Sequence, residues 1–252
     1  MGRILVIARR EVSSLFVSPI AYVVLFLFMI FMGILFVVPA LRIFQPGEFV
    51  DVSFRQFSNF SRFALFFVVP MLTMSIFADE YRSGRIEMLR TSPVTEFQLV
   101  MGKFFGVMAF YLSLLASTVL FYIIFLLNGR PDLGQVISTY LGMILMGCMF
   151  VACGLFFSSC TREPIVAALS AVITLGVLTI TDIFATSLPR EWVPFKNFHI
   201  PIRPVVEYLT VGSHFGDFTR GSVELGNIMY FAGCAALFLF WTYIVLESKR
   251  WR

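Results

Sequence analysis

Six long, nearly uninterrupted apolar runs constrain this chain more than any other feature: Ile20 to Leu41, Phe63 to Phe77, Phe104 to Leu127, Val136 to Ser158, Ile165 to Ile183 and Ile228 to Leu246. An α-helix needs roughly 20 residues to cross a bilayer, and the runs lie near that length; the second is short and should extend at one end. Their apolarity is continuous rather than alternating, which excludes a membrane β-barrel. Only 13% of the 252 residues are charged, against about 25% in soluble domains. The chain therefore reads as an all-α integral membrane protein, with residues 1–252 forming one domain of six transmembrane helices.

The first run is too long for the apolar core of a cleavable signal, and no small-residue cleavage site follows it, so the first span is expected to remain in the mature protein. Ahead of it, Arg3 to Ser18 place Ile4, Ile7, Ala8, Val12, Leu15 and Phe16 toward one side and Arg3, Arg10 and Ser14 toward the other. This fits an interfacial amphipathic helix that lies along the bilayer until Pro19 turns the chain inward. A charged flank with accidental periodicity is the alternative. With both termini inside, the inner segments hold eleven Lys and Arg residues and the outer ones eight, among them Arg42, Arg55 and Arg62 in the first outer connection and others in the long connection Phe184 to Asn227, where charge counts for less. Basic inner flanks and a net charge of +4 suit an anionic lipid surface and leave nucleic acid no role.

Ionisable groups within the six runs are nearly lacking, with Asp182 at the end of the fifth the nearest exception, which argues against a proton-driven transporter. There is no HExxH motif, and His199 and His214 both fall in the long connection, which argues against intramembrane proteolysis. The nearest approach to a phosphate loop, Gly129 to Val136, lacks the lysine and hydroxyl such a loop requires. Cys148, Cys153, Cys160 and Cys234 fall in or beside apolar runs and read as small buried hydrophobes. No enzymatic activity, metal or cofactor is expected of the chain itself. Energy for uphill movement would have to come from another polypeptide.

The polar island after the second run is where such a polypeptide can act. Asp79, Glu80, Arg82, Arg85, Glu87 and Arg90 balance in charge, and Asp79 with Arg82 and Glu87 with Arg90 are neighbours at helical spacing. Gly84 permits a sharp change of direction, and Ile86, Met88 and Leu89 add an apolar patch in a short exposed segment. Pro93 interrupts the chain. Thr95 and Gln98 have the spacing of a capping box, with Val94 and Leu99 placed as a hydrophobic staple, so a helix is expected to start at Glu96 and run into the third span. On the residues alone, a docking knob and a solvated loop that fixes topology both remain open.

These residues also resemble a known family. The run Glu80-x-Arg82-Ser83-Gly84-Arg85-x-Glu87-x-Leu89-x-x-Ser92-Pro93, followed by Glu96 and Gly102-Lys103, is similar to the segment after the second span of ABC-2-type ABC transporter permeases. Arg85 stands where many relatives carry Thr. The stretch His214-Phe-x-x-Phe218-x-Arg220-Gly221-x-Val223-Glu224-Leu225 before Tyr230-Phe231 resembles the gliding-motility-associated branch, and the short turn Ser159 to Pro164 also matches.

The resemblance implies the permease subunit of an ATP-binding-cassette exporter in the cytoplasmic membrane. It would pair with a second permease, identical or related, and with separate ABC ATPase subunits that carry the ATP and magnesium. Asp79, Glu80, Arg82, Gly84, Arg85, Glu87, Leu89 and Pro93 would form the ATPase-coupling interface, and Ile4, Ile7, Arg10, Val12 and Phe16 would belong to the interfacial helix. Short extracytoplasmic helices would fill the connection between spans five and six, where Pro204 suits a first helical turn and Gly212 an end. The alternative function is a non-transporting, ATP-driven mechanical or assembly factor of a cell-envelope machine.

Overall fold

The computed structural model describes residues 2–42, 49–84, 95–128, 132–187, 193–195, 198–200 and 210–250. In chain order the elements are α1 (Gly2–Val17), α2 (Pro19–Arg42), α3 (Phe49–Thr73), α4 (Ser75–Arg82), α5 (Glu96–Asn128), α6 (Leu133–Cys160), α7 (Pro164–Ser187), β1 (Val193–Phe195), β2 (Phe198–Ile200), α8 (Val211–Thr219) and α9 (Leu225–Arg250).

Each apolar run lies within a helix except the second, which runs from α3 across Met74 into α4. Among the described residues, four helical stretches are long and apolar enough to cross a membrane: Gln56–Arg82, Glu96–Ile123, Leu133–Cys160 and Leu225–Lys249. The pair Gly2–Val17 and Ala21–Phe36, bent by 69°, makes a fifth when taken together. Over Pro164–Thr179 the remaining candidate is apolar but shorter. Length and composition among the described residues thus show four or five of the expected six.

Local chemistry accounts for the boundaries. Pro19 opens α2 in the first-turn position that a proline tolerates, and the Ser18 N–H closes α1 on the Ser14 and Leu15 carbonyls, each at 3.1 Å. The expected capping box opens α5: the Gln98 N–H donates to Thr95 Oγ1 at 3.3 Å, and the Thr95 N–H to Gln98 Oε1 at 3.4 Å. Val94, the other half of the expected staple, is outside the described residues. Asp132 caps α6 by accepting from the Gly134 N–H at 2.9 Å, and Pro164 starts α7 after a turn in which the Glu163 N–H donates to Thr161 Oγ1 at 3.1 Å.

Two expectations about the second span need correcting. It extends at both ends, because buried Ser61 satisfies its hydroxyl on the Phe57 carbonyl at 2.9 Å and so lets a polar stretch continue the helix. The extension brings Arg62, expected in an outer connection, inside a membrane-length helix, with its guanidinium carbon 5.9 Å from the Phe215 ring. The spans are therefore less free of charge than the apolar runs suggest.

The connection after α7 also departs from expectation. It contains an antiparallel hairpin pairing Val193 with Ile200 and Phe195 with Phe198, where only short helices were anticipated. Aromatic and β-branched residues at these positions favour extended pairing. Gly212 lies in the first turn of α8 rather than closing a preceding helix, and Pro204 is outside the described residues.

The core is organised around α6, whose Met146, Met149, Phe150, Val151, Ala152, Cys153 and Leu155 are inaccessible. At its N-terminal end α6 receives α8: Phe218 packs where a Cβ at Gly142 would come within 2.8 Å, and Gln135 Nε2 donates to the Thr219 carbonyl at 2.7 Å. At its C-terminal end it receives α4. From Gln135 to Ser158 the helix rises about 35 Å, so these contacts mark opposite ends of the body. Of the four free cysteines, Cys153 is buried as expected, whereas Cys160 is exposed because it ends α6.

Candidate functional site

The polar island begins on α4, which continues α3 after an interruption at Met74. Pro70 removes one helical donor inside α3, and Thr73 returns its hydroxyl to the Val69 carbonyl at 3.0 Å. Gly154 of α6 leaves the space that the Thr73 side chain occupies. One turn further along α6, Ser158 spans the interruption: its hydroxyl donates to the Met74 carbonyl at 2.9 Å and accepts the Phe77 and Ala78 N–H groups at 3.0 and 3.2 Å. A serine hydroxyl offers one donor and two acceptor sites, and all are used here.

The inward face of α4 carries Ile76, Phe77, Ala78 and Glu80. Glu80 was expected to face a partner; instead it is buried in a cluster of four charges from three elements. Lys103, fully buried on α5, brings Nζ 2.8 Å from Glu80 Oε1, 3.1 Å from Glu11 Oε1 of α1 and 2.9 Å from the Ile76 carbonyl. An ammonium has three donors, and these three acceptors take them all. Its charge also sits 4.9 Å from the Phe77 ring. Arg10 lies over the cluster, 3.2 Å from Glu11 Oε1 and 3.6 Å from Glu80 Oε1, with its own side chain 56% exposed. Two cations face two carboxylates, the arrangement that lets charge be buried at all. Among the described residues, Glu80 Oε2 has no hydrogen-bond partner although it is buried.

Helix α1 reaches this cluster by running alongside the start of α5. A Cβ at Gly102 would lie 2.7 Å from the Ile7 side chain, one at Gly106 would lie 2.6 Å from Glu11 Cβ, and Phe16 meets Phe110 edge-on at 5.0 Å. The Gly102-xxx-Gly106 spacing therefore seats a helix of the same chain. Ala8, Glu11 and Leu15 form the buried line of α1, with Ile4, Ile7 and Val12 half-buried beside it. Phe16, expected on the apolar side, is 36% exposed and meets the Phe110 ring of α5 at an angle of 61°.

Beyond Glu80 the chain turns outward. Asp79 and Tyr81 are half-buried, and Arg82, Ser83 and Gly84 are exposed. Gly84 adopts φ +70°, a left-handed conformation that glycine reaches without strain, so it ends α4 as its position suggested. Lys249 of α9 holds the same end of the body: Nζ donates to the Ser159 carbonyl at 2.7 Å and lies 4.0 Å from the Tyr81 ring centre. Arg85, Glu87, Leu89 and Pro93, the remaining expected interface residues, are outside the described residues.

Glu11 and Lys103 were not singled out as site residues from sequence. A signal existed for the first: Glu11 stands between Ala8 and Leu15 at helical spacing, an acid on the apolar line, and a carboxylate there needs a buried cation.

A polar segment set between two anchored helices fits the match to known families. Residues 41–244 match a family model described as ABC-2 family transporter protein. The chain belongs to the ABC-2 family. As an ABC-2 membrane domain it is a permease subunit of an ABC transporter, a multi-pass membrane protein whose partners are an ABC ATPase and the bilayer. No curated protein matches this ABC-2 chain.

Proposed function

We propose that this permease subunit couples ATP hydrolysis on a separate ATPase chain to export across the cytoplasmic membrane. In this reading the chain crosses the membrane six times, both termini are cytoplasmic, α1 borders the inner leaflet, and the connection Phe184 to Asn227 is extracytoplasmic. ATP and magnesium stay on the partner, and a second permease copy or paralogue completes the transporter. Residues 79–93 dock with the ATPase: Asp79, Arg82 and Gly84 at the exposed end of α4, and Arg85, Glu87, Leu89 and Pro93 beyond it.

The observation carrying this reading is the anchoring on both sides of the polar segment. α4 is fixed to α6 through Ser158 and to α5 through Lys103, while the capping box at Thr95 starts a helix of 33 residues. Such a helix is about 50 Å long, so a displacement applied to the segment is delivered along a rigid rod. Glu87→Arg tests the reading: the variant should insert normally, retain less ATPase on purification in mild detergent and fail to stimulate its hydrolysis. Normal retention and stimulation would refute the assignment of Glu87.

Within the family, the gliding-motility-associated branch is proposed from the likeness of residues 214–225, and it keeps a mechanical or assembly role as the second reading. ATP-dependent uptake of a cargo into inverted vesicles favours export. ATP-dependent assembly of an envelope structure without cargo movement favours the second role.

A further inference from the structure

We infer that Lys103 is the positioning residue that makes α1 and α4 move as one body, so that a displacement of the docking segment reaches the start of α5 and the leading helix together. The inference rests on the docking role proposed above and adds a residue and a mechanical consequence to it.

Three observations carry it. First, Lys103 bonds both helices at once from a fully buried position, to Glu11 on α1 and to Glu80 and the Ile76 carbonyl on α4, with no donor left over, whereas the exposed Arg10 of α1 reaches Glu80 only at 3.6 Å. Second, α1 also packs on α5 by close fit, with Ile7 against Gly102 and Phe16 against Phe110. Such packing keeps helices together but opposes sliding weakly compared with a buried ion pair, which cannot separate without stranding charge. Third, Arg10 is the one exposed member of the cluster, and it pairs with both carboxylates. Glu80 is thereby moved from direct partner contact to an internal role: it is the point at which α4 hands displacement to Lys103.

Removing the lysine alone strands two carboxylates and endangers folding, so the test removes charge in balance. In the variant Glu11→Gln, Glu80→Gln, Lys103→Met, Arg10 remains solvated and no unpaired charge stays buried. Membrane insertion and retention of the ABC ATPase should match the unaltered chain, while stimulation of ATP hydrolysis in the reconstituted complex should fall at least tenfold. A second variant, Arg10→Cys with Glu80→Cys in a Cys160→Ser background, leaves the Glu11–Lys103 pair intact. It should stimulate poorly when its thiols are free and recover when a short bifunctional thiol reagent joins α1 to α4.

Unchanged stimulation in the balanced variant would overturn the inference, as would failure of the cross-link to restore it. Loss of ATPase retention would also overturn it, because the cluster would then be a docking surface. If the balanced variant does not insert, the cysteine pair decides alone. If the unaltered chain neither retains nor stimulates an ABC ATPase, the docking role itself fails, a result distinct from retention with unchanged stimulation.

Discussion

At the α4 end of the body the helices are tied by a buried ion cluster, whereas at the α8 end they are tied by directional side-chain hydrogen bonds and stacked rings. At the α8 end His214 Nδ1 lies 2.5 Å from Asn227 Oδ1, Asn227 Nδ2 donates to Asp217 Oδ2 at 3.0 Å, and the His214 ring stacks on Tyr230 with centroids 4.1 Å apart. Arg220 adds an ion pair to Asp217 at 3.9 Å, but its side chain is 70% exposed and the contact contributes little. The two chemistries respond differently to displacement. Coulomb attraction falls slowly with distance and has little angular demand, while a hydrogen bond weakens steeply once its angle is lost. The α4 end can shift or rotate slightly and stay tied; the α8 end must keep its fit. A joint that receives work from outside suits the first, and a fixed abutment suits the second.

Breaking the charged tie should have the largest effect. Lys103→Met alone leaves Glu11 and Glu80 buried with only Arg10 nearby, and should cost about 3–5 kcal/mol, the range for a buried pair that loses one partner. Thermal unfolding in detergent checks it, and restoring charge balance with Glu11→Gln and Glu80→Gln should recover most of the loss. Next comes the seat of α1: Gly106→Leu drives a side chain into Glu11 and should cost about 1–3 kcal/mol by overpacking. It should also raise thiol labelling of an Ile7→Cys probe. At the α8 end, His214→Phe keeps a ring over Tyr230 but removes the bond to Asn227, for about 1–2 kcal/mol. If His214→Phe proved costlier than Lys103→Met, the contrast between the ends would be inverted. The smallest effect belongs to the cap: Thr95→Ala should cost about 1 kcal/mol, seen as faster exchange of the first α5 amides.

The contrast also marks what the sequence could disclose. Helix positions were legible because lipid-facing apolarity is continuous, and the start of α5 was legible because Thr95 and Gln98 satisfy each other locally. The turn at Gly84 was legible for the same reason: its φ of +70° is a local demand of the backbone. The charge cluster was not, since Glu11 and Lys103 stand 92 residues apart and only the packing of α1 on Gly102 and Gly106 brings them together. Glu80 was misassigned to a partner for that reason: in a polar island every charge looks external until a buried cation is found for one of them. Arg62 was placed in a connection because the polar serines around it hide the continuation of α3. The hairpin at Val193–Ile200 was missed because its two short strands adjoin longer stretches with helical signals.

The account stands or falls on where work enters. Ser83 is exposed at the end of α4, immediately before Gly84. A Ser83→Cys chain in the Cys160→Ser background, carrying a photoactivatable thiol cross-linker, should join to the copurifying ABC ATPase in the membrane. It should also be shielded from a membrane-impermeant thiol reagent applied to intact cells. Labelling from outside, with no adduct to the ATPase, would contradict it.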